Sequence, residues 1–197
     1  MKLVLASASA SRARLLSSAG VKFEISPAAL DEDAAMQRLH AQGASPAAVA
    51  ASLAAEKADL VSRRHPGALV LGGDTVVALG EDPIGKCPDI AAAEALLRRL
   101  CGREHLLVSA VSLVRDGVPV FNCASPVRLV MRRFSEAFLA DYLAAEADEL
   151  LATVGCYRFE GRGAQLFESV QGDYFSVLGL PLLPLLAALR KEGVLPS

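Results

Sequence analysis

Asp74 stands alone in the apolar run Leu69-Val-Leu-Gly-Gly-Asp-Thr-Val-Val-Ala78, which has the length and composition of a buried strand. An unpaired ionised carboxylate in such a place loses much of its hydration, so it persists only if it is paired, holds a cation or does proton chemistry in a cleft. Gly72 and Gly73 remove side chains beside it and predict close approach by another backbone or a ligand where the strand reaches its end. Ile84-Gly-Lys86 follows a short loop later and supplies a cation. Near the N-terminus, Ser7-Ala-Ser-Ala-Ser-Arg12 follows a short apolar stretch and reads as a turn into a helix, with Arg14 one step on. A helix start of this kind aims amide N–H groups at an anion, and Arg12 and Arg14 add fixed positive charge.

Two further charged positions could join that chemistry. Glu32, in Leu30-Asp-Glu-Asp33, is either an ordinary first-turn acid or a ligand to a cation. Lys57, on an Ala-rich helix, is either a snorkelling surface lysine or a partner of anionic groups. The cysteines Cys87, Cys101, Cys123 and Cys156 have irregular spacing and no C-x-x-C pair, which argues against zinc or a disulfide framework and for reduced structural thiols. Cys87 follows Lys86 directly, and a redox role for it is the minor alternative. His40, His65 and His105 show no ligand spacing, so any metal would be held by oxygen.

Positioning these residues requires alternating strands and helices. Leu3-Val-Leu-Ala and Lys22–Ile25 read as strands, with helices predicted over Ala34–His40 and, opened by Ser45-Pro46, over Ala47–Ser62. Beyond the Asp74 strand, a clean amphipathic helix runs from Pro88 and ends by Gly102. Leu106–Val114 and Val118–Cys123 flank Asp116-Gly117, a strong hairpin signal, and Val127–Met131 continues the sheet. Ser135 caps a helix to about Glu146, Gln165–Val170 follows a Gly-rich run, and Leu180–Leu189 reads as an apolar helix. The predicted architecture is α/β, a mixed twisted sheet with flanking helices and two lobes around a central cleft, carried by a single domain over residues 1–197.

Of the 197 residues 53% are hydrophobic and 21% charged, enough to bury a sizeable core. The formal net charge of −2, with aromatics at 5% and no tryptophan, excludes a basic or stacking surface for nucleic acid. The apolar run after Met1 is too short for a signal peptide and Leu178–Leu189 too short and Pro-broken to span a bilayer, so a cytoplasmic protein without membrane contact is expected.

Several ordered motifs resemble one family, the Maf-like nucleoside triphosphate pyrophosphatases, also described as septum-formation inhibitors. The likeness runs through Leu5-Ala-Ser-Ala-Ser-Ala-Ser-Arg12, Asp31-Glu32, Lys57-Ala58, Gly73-Asp-Thr-Val-Val77, Gly85-Lys86, Leu100-Cys-Gly-Arg-Glu-His105, Gly172-Asp-Tyr174 and Val177-Leu-Gly-Leu-Pro-Leu182. Any one of them is weak, and together they are specific. The resemblance implies hydrolysis of the α–β phosphoanhydride of a nucleoside triphosphate, giving the monophosphate and pyrophosphate, with a divalent cation, Mg²⁺ or Mn²⁺, as helper. It implies Asp74 as proton acceptor, Lys86 and Glu32 as catalytic partners, and Glu32 with Asp74 at the metal. Ser7, Ser9, Arg12 and Lys57 would cradle the phosphates, and a homodimer is implied.

Departures from the family pattern bear on the base. Ser11 stands where family members resembling thymidine and uridine triphosphate hydrolases carry arginine and those resembling 7-methylguanosine triphosphate hydrolases carry tryptophan. Thr75 matches the first subgroup and Glu160 the second. An ionised glutamate only accepts hydrogen bonds, so Glu160 favours bases offering N–H donors, while a small Ser11 broadens the pocket. The alternative reading is a nucleotide-binding regulator of cell division with little turnover. The presence of Asp74, Lys86 and Arg12 weighs for catalysis.

Overall fold

The computed structural model describes residues 1–196. Seven strands, β1 (Leu3–Leu5), β2 (Glu24–Ile25), β3 (Leu69–Leu79), β4 (Asp82–Ile84), β5 (Glu104–Arg115), β6 (Val118–Met131) and β7 (Phe167–Gln171), form one mixed sheet. Its order is β2-β1-β3-β5-β6-β7, with β4 on the free length of β3. β1 runs parallel to β2 and β3, and the pairs from β3 to β7 are antiparallel. Helices α1 (Ala10–Ser18), α2 (Glu32–Ala41), α3 (Pro46–Ser62), α4 (Ile90–Leu100), α5 (Glu136–Leu150), α6 (Tyr174–Val177) and α7 (Leu182–Lys191) flank it. The mixed α/β sheet is as expected.

Side-chain oxygens set the helix starts. Ser9, Asp31, Ser45, Asp89, Ser135 and Asp173 each accept an N–H from the first turn of the helix they precede. Asp116 and Gly117 both hold positive φ, 50° and 76°, as a two-residue hairpin turn between β5 and β6 requires. Val118–Cys123 and Val127–Met131, expected as separate strands, are one strand of 14 residues. Pro119 and Pro126 are tolerated there because the outer edge of β6 is paired by β7 only from Arg128 onward.

The core divides across the sheet. Leu53, Ala54, Val76, Val108 and Ala110 pack under α3 on one face, while Leu5, Leu16, Leu71, Leu180 and Leu185 pack under α1 and α7 on the other. Another cluster joins Leu97, Leu129, Leu139, Tyr142 and Tyr157 around α4 and α5.

In that third region His105 is buried against Tyr157, its Nε2 lying 3.1 Å from the phenol oxygen. Burial pulls its imidazole down to about 4, against a smaller raising effect from the Arg103 backbone. An unfolded chain binds a proton below about 6.5 where the folded chain does not, so stability must fall as pH falls from about 6.5 to about 4, by about 3 kcal/mol in all. Urea midpoints at pH 7.5 and 4.5 measure this. His105→Gln is expected to lose less stability over that interval, and an equal loss in both chains would remove His105 as the cause.

Candidate active site

The site lies at an interruption of the sheet. β1 pairs with β3 only at Leu69–Leu71, and β4 pairs with it only at Val77–Leu79, so the intervening edge from Gly72 to Val76 has no strand partner on that side among the described residues. Asp74 sits in the middle of β3, opposite Ala110 of β5. This corrects the expectation that the glycines mark a strand end: the strand continues, and its neighbours stop instead.

The two glycines serve different faces. A Cβ on Gly72 would lie 2.1 Å from the Ala54 carbonyl oxygen, so α3 packs directly on the strand there. A Cβ on Gly73 would lie 3.1 Å from Arg12 Nε, so the arginine passes beneath the opposite face. The small residues of α3, Ala54 and Ala58, allow the close approach that brings Lys57, on the same side of the helix, onto Asp74.

Lys57 is therefore not a snorkelling surface residue. Its Nζ is buried and donates to Asp74 Oδ1 at 2.6 Å, while Glu32 Oε1 lies 2.8 Å away. Glu32 reaches it from the first turn of α2, whose N-cap Asp31 accepts from the Ala34 N–H. Three of the expected residues thus meet at one ammonium. Asp74 itself is 5% exposed, and burial raises its proton affinity above the ordinary carboxylate value, only partly countered by Lys57 and Arg12.

Lys86 completes this face. The β3–β4 hairpin turns at Gly80, with φ 66°, and folds the chain back along β3, so that Gly85 and Lys86 continue past the Val77–Ile84 pair toward Asp74. A cleft of about 290 Å³ results, walled by Glu32, Asp74, Thr75 and Lys86, with Leu53 and Val154 as apolar walls. Lys86 makes no ion pair among the described residues and is the cation left for a ligand.

The turn after β1 leads into a helix, as expected. Ser9 caps α1 by accepting from the Arg12 N–H, leaving the amides of Ala10 and Ser11 without intrahelical partners. Ser7 Oγ accepts from the Ser9 N–H at 3.2 Å and from Arg12 Nη1 at 3.1 Å. Arg12, expected to hold phosphate, is buried, and its Nε and Nη2 donate to the Gly179 carbonyl and to Thr75 Oγ1. Thr75 accordingly has its hydroxyl engaged within the protein, by Arg12 and by Ser109. Glu160 is ion-paired through Oε2 with Arg14 of α1, which leaves Oε1 as an acceptor. Ser11, on the same helix turn as Arg14, and Glu160 lie apart from the walls of the 290 Å³ cleft.

Ser109 and Ser176, which join this polar network, were not singled out in the sequence. The available signal was a pair of hydroxyls, Ser109 and Ser112, inside the otherwise apolar strand Leu106–Val114. The cysteines are all free, and burial together with the adjacent Cys87 pushes the Cys156 thiol up to about 12, far from a reactive thiolate.

Similarity to known proteins fits this arrangement. The family described as Maf-like protein matches residues 2–192. This chain belongs to the Maf-like family. Within it, the chain is 50% identical to a nucleoside triphosphate pyrophosphatase of Rhodopseudomonas palustris, over 98% of this chain and 95% of that one. It is 47% identical to one of Granulibacter bethesdensis over 99% of both chains. A 7-methyl-GTP pyrophosphatase of Rhizobium etli is 45% identical over 98% of each. The Maf-like motifs at Asp31-Glu32, Lys57-Ala58, Gly73-Asp74 and Gly85-Lys86 are those that converge on the cleft.

A divalent cation has donors of the right kind here. Two carboxylates, Glu32 and Asp74, share one ammonium, and a hard cation such as Mg²⁺ is commonly held by one or two carboxylates with water and substrate phosphate. No group of three or more His, Cys, Asp or Glu side chains placed to hold a metal ion occurs among the described residues.

Proposed function

We propose that this chain is a nucleoside triphosphate pyrophosphatase, cutting the α–β phosphoanhydride to give the monophosphate and pyrophosphate. The observation that carries it is Asp74, a buried carboxylate of raised proton affinity that lines a cleft between Lys57, Glu32 and Lys86. Full-length relatives named nucleoside triphosphate pyrophosphatase support the same reading.

In this reading Asp74 accepts the proton of the attacking water through Oδ2, since Lys57 engages Oδ1. The water oxygen bonds to the α-phosphorus as the bond to the bridging oxygen breaks, and the electron pair leaves on pyrophosphate. Lys86 neutralises charge building on the phosphates, and the Ser7 and Ser9 hydroxyls and first-turn amides of α1 donate to phosphate oxygens. Glu32 and Asp74 would hold a Mg²⁺ or Mn²⁺ ion, which when bound adds charge neutralisation.

Hydrolysis in ¹⁸O-labelled water, followed by mass spectrometry of the products, tests this. Label in the monophosphate and unlabelled pyrophosphate are expected. Release of orthophosphate, or label in the pyrophosphate, would overturn α–β cleavage by attack at the α-phosphorus.

For the base, the Arg14–Glu160 pair supports a guanine-type substrate, because it offers both a carboxylate acceptor and guanidinium donors to one base edge. Strict preference for thymidine or uridine triphosphate in a substrate panel would sink that choice. The proposal extends to a cytoplasmic homodimer, a reading that rests on membership of the Maf-like family. No helix among the described residues is long and apolar enough to cross a membrane.

A further inference from the structure

On the sheet face opposite Lys57, hydroxyls and a guanidinium form a buried chain whose direction can be worked out link by link. Ser109 Oγ donates to the Ser176 carbonyl at 2.7 Å. A hydroxyl carries one proton, so in the 3.0 Å contact between Thr75 Oγ1 and Ser109 Oγ the donor is Thr75. Thr75 Oγ1 in turn accepts from Arg12 Nη2 at 3.0 Å, and a guanidinium has only donors to give. The far end is fixed as well: Asp173 accepts both the N–H and the hydroxyl of Ser176, each at 2.7 Å.

The same count applies on the other side of the guanidinium. Ser7 Oγ accepts from Arg12 Nη1 and from the Ser9 N–H, which occupies both of its acceptor positions. Its own O–H is left with one role, that of donor. A phosphate oxygen only accepts, so a serine held this way is matched to phosphate before the ligand arrives, whereas a freely rotating hydroxyl would present a lone pair part of the time. Gly73 leaves the space the guanidinium occupies, and Gly179 fixes Nε at 2.9 Å.

We propose that Ser109, which is wholly buried and touches no substrate, is a positioning residue of this site: through Thr75 and Arg12 it sets the Ser7 hydroxyl as a dedicated hydrogen-bond donor to the triphosphate. The inference rests on the pyrophosphatase reading above. Its physical core is that Ser109 supplies the acceptor for the Thr75 proton. Without it that proton must turn elsewhere, the guanidinium loses a fixed acceptor, and the Ser7 rotor is released.

Ser109→Ala tests this in two independent ways. In ¹⁵N-labelled protein the Arg12 Nε–H signal is expected to be protected from solvent exchange in the wild type and to exchange roughly tenfold faster in Ser109→Ala. With a nucleoside triphosphate substrate, KM is expected to rise about fivefold, the worth of one neutral hydrogen bond, with a smaller change in kcat. The double variant Ser109→Ala/Thr75→Val is expected to be no worse than Thr75→Val alone, since both break one chain. If Ser109→Ala does not fold, Thr75→Val opens the same chain from the cleft side and is read by the same Arg12 signal. Unchanged Arg12 exchange, or additive KM effects, would overturn the proposal. A merely structural serine would lower the melting temperature and leave KM and the Arg12 signal in place. A wild-type chain that releases no pyrophosphate would overturn the activity reading instead. Arg12 exchange and calorimetric affinity for a non-hydrolysable triphosphate would still decide the case of Ser109.

Discussion

Asp74→Asn is expected to lower kcat by about 10²–10⁴, the usual contribution of a positioned general base, while nucleotide affinity and fold persist. The amide matches the carboxylate in shape and can still accept a hydrogen bond from Lys57, but it cannot take a proton from water. Lys57 keeps Glu32 as a charged partner, so the buried ammonium is not left alone. Single-turnover kinetics and calorimetry with a non-hydrolysable triphosphate separate the two effects, and a variant retaining turnover within tenfold of wild type would remove Asp74 from the chemistry. The pH dependence has a definite sign. A base must be unprotonated, and burial raises the Asp74 pKa, so kcat/KM is expected to fall with acidification while ordinary exposed carboxylates are still ionised.

Lys57→Met is expected to destabilise the fold by about 3–5 kcal/mol, the cost of breaking a buried ion pair from one side. The loss is largely that of Asp74, 5% exposed, left in a protein environment with its nearest opposite charge removed. Such a carboxyl regains neutrality by binding a proton, so the Lys57→Met chain should also lose activity at higher pH than the wild type. Adding Asp74→Asn to Lys57→Met is expected to recover most of the stability, because the carboxylate stranded by the loss of Lys57 is then gone, while Arg12 keeps its hydrogen bonds to Ser7, Thr75 and Gly179. Urea unfolding of the four chains of this cycle measures the coupling. A Lys57→Met chain within about 1 kcal/mol of wild type would show the pair to be no more than a surface ion pair in effect.

Local features carried much of the fold. The α3 helix was readable from Ser45-Pro46 and its apolar spacing, and the β5–β6 turn from Asp116-Gly117, because caps and positive-φ turns are decided by a few adjacent residues. The strand Lys22–Ile25 shrank to Glu24–Ile25, and the Leu180–Leu189 helix begins at Leu182 after a separate short α6. Ends of elements depend on which neighbours supply hydrogen bonds, and that is a tertiary matter.

From the sequence alone Asp74 was marked as a carboxylate in need of a partner, because charge in an apolar run carries its solvation cost wherever the chain goes. The anion-binding candidates Ser7, Ser9, Arg12, Lys57 and Lys86 were named from residue type and motif resemblance. What only the tertiary structure decided is how their hydrogen-bonding capacity is shared. Lys57 went to two carboxylates and Arg12 to Ser7, Thr75 and Gly179, while Glu160 went to Arg14. Those partners come from segments up to 167 residues apart and meet only through strand register and the close packing that Gly72 and Gly73 permit. A side chain's identity fixes how many hydrogen bonds it can make, and the packed neighbours determine with whom.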